Sequence, residues 1–300
     1  MKRKVILSVL LMAFMGTTLL AQEETKKKRT LELPKAGDIA LGIDVVPMFK
    51  YVGNFFNGTT DNAYNTFGGE SAITFDNPIN NPTVSIMGKY MITDTWAARL
   101  NVGILYTHKN TRTYKQNDAA LLEDPLSLAK VVDENIVNNT GASFALGAEY
   151  RRGYRRIQGF AGGNLIYAFG EYNRHYNYGN AITEINQTPS RIDAGNVQYV
   201  PDGWTRAYLL DSYNGGSVQF FGLGAHVGVE IFLASHFSLG GEVSINAIWK
   251  WSPETYEEIE GFNTVNNQVE KFTNLISPGN KEFSFGTENL GGKLYLLFYF

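Results

Sequence analysis

The chain ends on "GGKLYLLFYF", residues 291–300. Leu294, Leu296, Phe298 and Phe300 occupy alternate positions, which places them on one face of an extended strand. Lys293, Tyr295, Leu297 and Tyr299 take the other face. An unpaired apolar strand at a terminus invites aggregation. The alternation therefore predicts a last strand that is paired on both sides and meets an apolar medium on its Leu294–Phe300 face.

The same period of two recurs upstream. In "GDIALGIDVVPMFKY" (37–51), Ile39, Leu41, Ile43 and Val45 share a face, Asp44 lies opposite, and Pro47 predicts a local bulge. "TVSIMGKYMI" (83–92), "WAARLNVGILY" (96–106), "GASFALGAEY" (141–150), "IQGFAGGNLIYAF" (157–169), "VQFFGLGAHVGVEIFL" (218–233) and "FSLGGEVSINAIWKW" (237–251) follow the same rule. The last strand starts near Phe283 and changes phase around Thr287 to Asn289, which predicts a bulge. These make eight strands. Connections near Thr93, Gly153 and Ala234 are short, whereas 52–82, 109–140, 171–216 and 252–282 are long and polar. Short turns at one end and long loops at the other are the signature of a membrane barrel.

The polar faces decide which medium lies inside. Asp44, Lys89, Arg99, Glu149, Glu230, Glu242 and Lys293 lie on the faces opposite the apolar ones. Seven charges of both signs are too costly for the core of a soluble barrel. They suit the interior of a barrel whose outside meets lipid, either as a paired network filling the lumen or as the lining of a narrow pore. Aromatics fall into two bands: Tyr90, Trp96 and Tyr150 near the short turns, and Tyr106, Trp249 and Trp251 near the long loops. Such bands mark the two membrane interfaces. The expected architecture is all-β: an eight-stranded antiparallel transmembrane β-barrel with short periplasmic turns and four long extracellular loops.

The N-terminus agrees. Lys2, Arg3 and Lys4 precede an apolar run from Val5 to about Leu20, then Ala21, which reads as a secretory signal over 1–21. Residues 22–36 form a tether containing "TKKKRT", and 37–300 the barrel. Without the signal the chain has 23 basic and 29 acidic residues, a net charge of −6, and no footprint for nucleic acid. It has no cysteine, so neither disulfides nor a lipid anchor on an N-terminal cysteine is expected. No cofactor or metal site is expected either.

From its signal segment, strand and loop pattern and terminal alternation, the chain resembles the small eight-stranded outer-membrane barrels of Gram-negative bacteria, the OmpA-barrel and OmpX-like group. The "VPMFKYVGNFFN" stretch and the "LAQ" end of the signal look like barrels of Bacteroidota. The resemblance implies that Leu294, Leu296, Phe298 and Phe300 are the signal read by the barrel-assembly machinery. It also implies outer-membrane lipids and lipopolysaccharide as surroundings. The chain departs from the full OmpA pattern in that no peptidoglycan-binding domain follows.

Other candidates are weighed on their chemistry. "RRGYRR" (Arg151, Arg152, Arg155, Arg156) reads as a basic periplasmic turn suited to anionic headgroups. His226, Glu230 and Ser244 supply the residue types of a lipid-hydrolysing triad, but they face inward, away from the lipid. "DPLSLAKVVDENIV" reads as a surface helix capped by Asp124, with Leu128, Val131, Val132 and Ile136 as its stripe. The loop from Tyr172 onward is rich in Tyr and Asn, suited to recognition of an extracellular ligand or partner. The function these features predict is non-enzymatic: a barrel with a plugged, charge-paired lumen, serving envelope integrity or surface interaction. A narrow small-solute pore is the alternative.

Overall fold

The computed structural model describes residues 33–45, 85–193, 197, 199–214 and 216–300. Among them eleven strands form one antiparallel sheet: β1 (Ile39–Asp44), β2 (Ser85–Met91), β3 (Trp96–Gln116), β4 (Lys130–Tyr154), β5 (Ile157–Asn177), β6 (Trp204–Asn214), β7 (Val218–Ala234), β8 (Phe237–Ser252), β9 (Thr255–Asn263), β10 (Gln268–Ser277) and β11 (Asn280–Tyr299). One short helix, α1 (Asp118–Glu123), lies between β3 and β4.

Eight of the strands close into a ring in the order β1, β2, β3, β4, β5, β7, β8, β11 and back to β1. The terminal strand makes the seam. Phe298 pairs with Leu41 of β1 and with Phe237 of β8, and the Phe300 amide donates to the Ile39 carbonyl at 2.9 Å. Closure removes the sheet edges that the apolar terminus would otherwise expose.

The ring continues upward as an extension. β6 descends along β5 at Asn173–His175, and β7 takes over the same ladder from Gly170. β8 runs on into β9 past Pro253, and β10 precedes β11 in the same way. The β3–β4 pair persists without a register break to Gln116 and Lys130. β4 has 25 residues, about 80 Å at ~3.3 Å per residue, far more than the roughly 10 residues of one membrane crossing. Of the three expected long loops within the described residues, 109–140 and 252–282 are thus largely sheet, while 171–216 is strand at its two ends, up to Asn177 and from Trp204. The fourth, 52–82, and the bulge expected at Pro47 lie outside the described residues.

Two further expectations are corrected. The helix expected from Asp124 is absent: α1 ends at Glu123, and Val131, Val132 and Ile136 belong to β4, each paired with a β3 residue. β-branched residues fit a pleated surface, and a ready partner strand outweighs the local helical stripe. Asn117 caps α1 by accepting from the Ala120 amide. Val45, expected outward, is 1% exposed.

In β11 the expected phase change is present. Phe285 pairs with Ala247 and Leu290 with Ile245, so β11 advances five positions while β8 advances two. The odd excess reverses parity: odd residues Phe283 and Phe285 are exposed before it, and even residue Phe298 after it. The ring's outer face carries an aliphatic and aromatic belt that includes Leu41, Ile86, Leu100, Leu146, Leu165, Leu223, Val227 and Val243, each 44–61% exposed. No helix among the described residues is long and apolar enough to cross a membrane.

Candidate functional site

The interior of the ring gathers charge. Lys89 (β2) and Arg99 (β3) are direct cross-strand neighbours, an arrangement that repels. Glu149 on β4 separates them, 2.9 Å from Lys89 and 3.4 Å from Arg99. Arg99 holds Glu242 through its two terminal guanidinium nitrogens, at 2.8 and 2.9 Å. Lys89 also reaches Glu230 at 3.2 Å, and Arg151 reaches the same carboxylate at 3.0 Å. Ser238 and Tyr299 donate to the other Glu230 oxygen, both at 2.7 Å. Three cations thus face three carboxylates, none more than 7% exposed.

The network spans the bore. β3 and β8 lie four strands apart around the ring, as do β2 and β7, and β4 and β11. Arg99–Glu242, Lys89–Glu230 and Arg151–Tyr299 (2.7 Å) therefore each cross a full diameter. An eight-stranded barrel is just wide enough for its interior side chains to meet.

Glycines on the inner face make room for these side chains. A Cβ at Gly240 would strike the Tyr295 ring, one at Gly228 the Phe160 ring, and one at Gly147 the Asn164 amide. The space is already filled by neighbours. Beyond the charges, toward the extension, the side-chain carbonyls of Asn101 and Asn164 are buried without a protein partner. Beyond these, Ala168, Val218, Phe220 and Ile248 form a closed apolar cluster.

The expected residues fall as follows. Lys89, Arg99, Glu149, Glu230 and Glu242 come together. Lys293 is half-buried and opposite Glu242 in register, and the Asp44 side chain lies outside the described residues. Arg151, read as a turn residue, is 1% exposed and part of the network. β4 runs four residues past Tyr150, and Arg151 keeps the parity of Glu149. That parity was the available signal, missed by ending the strand at Tyr150. The turn itself holds Arg155 and Arg156, exposed beside Arg152, with Arg155 at a positive φ of 56° and over the Tyr154 ring.

Tyr295, Tyr299 and Ser238 escaped the sequence reading because hydroxyl partners leave no charge pattern. Tyr90, Trp96, Tyr106, Tyr150 and Trp251 are exposed on the outer face, and Trp249 is half-buried against Phe283 with ring centres 4.9 Å apart. Trp96 and Tyr150 stack edge to face at 5.4 Å. His226 meets Asn164 at 3.2 Å and lies 3.9 Å from Glu149, while Glu230 is held by Lys89, Arg151, Ser238 and Tyr299. The hydrolase arrangement of His226, Glu230 and Ser244 is not formed.

The extension carries a second cluster on the face continuous with the bore. Asp133, fully buried, accepts from the Gly179 and Ile192 amides at 2.8 and 2.7 Å and so pins the segment 178–193. Arg191 lies 4.3 Å from the Tyr178 ring centre and 4.6 Å from that of Tyr208, and pairs with Glu260 at 2.7 Å. Burial pushes the Asp118 carboxyl up, but hydrogen bonds from Ser190 and Asn186 outweigh it and hold its pKa below the usual value. On the outer face His175 meets Asp211 at 2.5 Å and Asn177 at 2.8 Å. Burial lowers the His175 pKa, and these two bonds more than reverse that, leaving it raised.

No protein-family model matches the sequence, and no curated protein is similar to it. Among solved structures, the outer membrane protein OprG from Pseudomonas aeruginosa is similar with a TM-score of 0.32 and 12% identity, over 89% of this chain and 98% of that one. A likeness that loose carries no weight for fold or function.

Proposed function

We propose that the chain is a non-enzymatic outer-membrane β-barrel with a plugged, charge-paired lumen. It stiffens the envelope and presents its long extension as an interaction surface outside the cell. The observation that carries this reading is the inversion of the two faces. Six paired charges are buried inside a closed ring whose outside exposes a continuous apolar belt. Water favours the opposite arrangement; lipid favours this one.

On this reading the short turns and both termini are periplasmic, and the 22–36 tether leads into the barrel there. Outer-membrane phospholipid and lipopolysaccharide surround the belt. Leu294, Leu296, Phe298 and Phe300 form the strand that the assembly machinery engages. Tyr90, Trp96 and Tyr150 mark one interface, and Tyr106, Trp249 and Trp251 the other. Arg152, Arg155 and Arg156 meet anionic headgroups.

Three diametric contacts and the apolar cluster above them favour a closed bore over a pore. The test is single-channel recording of the refolded chain, residues 22–300, in a planar bilayer. Silence from protein shown to be folded is the expected result. Reproducible conductance steps that change in an Arg99→Gln variant would establish the pore instead.

A further inference from the structure

Arg174 stands apart from the other arginines. Arg99, Arg112, Arg151 and Arg191 each hold a carboxylate. Arg152, Arg155, Arg156 and Arg206 are exposed. Arg174 is half-buried on β5, and among the described residues it meets no carboxylate. Its guanidinium donates to the Tyr172 hydroxyl at 2.8 Å and to that of Tyr176 at 3.5 Å, and its Nε–H is buried without a partner. Arg99 and Arg151 also leave Nε without a partner, but their terminal nitrogens already hold carboxylates. A guanidinium taken partly out of water calls for an anion.

The wall around Arg174 is symmetric. Parity along β4 and β5 places Asn135, Asn139, Tyr172, Arg174 and Tyr176 on the face continuous with the bore, where Asp133 pins segment 178–193. Asn139 stands opposite Tyr172, and Asn135 opposite Tyr176. The side-chain carbonyls of both asparagines are buried without a protein partner. Two acceptors thus flank one cation, at positions about 13 Å apart along β4. Asn101 and Asn164 have the same kind of orphaned carbonyl, but they lie in the bore beneath the apolar cluster. The Arg174 row reaches solvent on one side. On β3, Thr107, Lys109 and Thr111, opposite Asn139, Val137 and Asn135, are exposed. Glu257, an acid on the same row, stands two strands from Arg174 across Ser212.

The chemistry of these groups selects the ligand. The Nε side of Arg174 offers a charge-assisted hydrogen bond to a carboxylate. The asparagine carbonyls call for hydrogen donors on either side of that carboxylate. A bare inorganic anion leaves both of them unpaired. A peptide carries its amides along an extended backbone and is satisfied by a strand edge, which this face does not offer. Sugar hydroxyls donate in several directions to side-chain acceptors, and Asn and Tyr give adaptable polar contacts of that kind.

We infer that Arg174, Asn135 and Asn139 bind an acidic oligosaccharide, its uronate carboxylate on Arg174 and its hydroxyls on the asparagine carbonyls. The inference rests on the reading of the extension as an interaction surface and names the ligand class of that surface. The ligand enters from the β3 side, past Lys109, and lies between the apolar cluster of the bore and segment 178–193.

The test is calorimetric titration of the refolded chain, residues 22–300, in micelles with trigalacturonic acid. Its methyl ester, with the same hydroxyls and no charge, is the control ligand. The wild type binds the acid, and Arg174→Gln loses roughly ten- to hundredfold in affinity, the worth of a hydrogen bond to a charged group. The ester binds the wild type more weakly by a similar factor. Arg174→Lys keeps the charge and removes the Nε donor, and it loses part of the affinity with unchanged far-UV dichroism. Asn135→Leu with Asn139→Leu weakens both ligands. Arg112→Gln, the same charge change on the outer face of β3, leaves binding unchanged. No binding of the acid by wild-type protein shown to be folded, equal binding of acid and ester, or equal losses in Arg174→Gln and Arg112→Gln overturns the site. Inorganic sulfate that displaces the acid at equal concentration assigns the row to any anion and also overturns the inference. In parallel, protease is added to intact cells carrying the chain. Protection of the extension there sinks the reading of a surface outside the cell, whereas cleavage without saccharide binding sinks the site alone.

Discussion

Glu230 shows what a single residue does inside the ring. Its two oxygens take Lys89, Arg151, Ser238 and Tyr299, so it satisfies two cations, from β2 and from β4, at once. Taking charges out of water is expensive, and the expense is met only when every partner is present. Glu230→Ala leaves Lys89 and Arg151 to share the one carboxylate of Glu149, and the expected loss is about 3–5 kcal/mol of stability. Denaturant unfolding of the refolded chain, followed by tryptophan fluorescence, measures it. Arg152→Ala, at the exposed turn, is expected to stay within about 0.5 kcal/mol, and an equal loss at both positions would refute the assignment of Glu230 to the network. Replacing the bidentate pair together, Arg99→Leu with Glu242→Leu, is expected to cost less than Arg99→Leu alone, because the double change leaves no orphaned charge at that pair.

At the scale of elements, the extension hangs on a short junction. β6 joins β5 through three register pairs, Asn173–Tyr213, Arg174–Ser212 and His175–Asp211. The His175 side chain clasps the last of these. Asp211 and Glu258 supply negative charge from β6 and β9, and Asn177 accepts from the other ring nitrogen. On β4, Ile136 stands opposite His175, and Glu134 nearby is paired with Arg112 of β3. Because the folded pKa of His175 is raised, its contribution is complete below the ordinary histidine value of about 6.5. It is lost as pH rises through the folded value above that. Proteolysis between 199 and 217 is therefore expected to accelerate between pH 6 and pH 9 in the wild type, measured against a peptide control for the protease. His175→Gln should flatten that dependence. An unchanged pH profile in this variant would remove the clasp from the account.

For the whole molecule, the decisive property is which face is wet. The belt residue Val227 is 61% exposed and lies near the middle of β7. A cation on the lipid face of a barrel near the membrane midplane costs about 2–4 kcal/mol. Val227→Arg is expected to lower the folding free energy in vesicles by that amount and to leave far-UV dichroism in micelles unchanged. Tolerance of Val227→Arg in vesicles would mean that the belt meets water.

Much of the ring was legible in the sequence, because a strand repeats every two residues and a closed sheet forces one face inward. That rule is local. It predicted the eight ring strands, the phase change before Leu290, and the inward placement of Lys89, Arg99, Glu149, Glu230 and Glu242. It failed where the pattern lapses. The upper parts of β3, β4 and β5, and the whole of β6, β9 and β10, lack the apolar alternation of the ring, since segment 178–193 packs on one face there and the other carries polar residues. They read as loops and one as a helix. Pairing decided otherwise: Val131 and Val132 lie opposite Lys115 and Tyr114 whatever their local preference. Arg151 was misassigned for a similar reason, since the strand outlasts its apolar half. The sequence by itself determined most of which residues face outward and which face the bore, since that follows from period and parity. Only the tertiary structure decided which charge meets which, because the contacts that cross the bore join residues 141, 143 and 148 positions apart. No local pattern carries information over that distance; closure of the ring does.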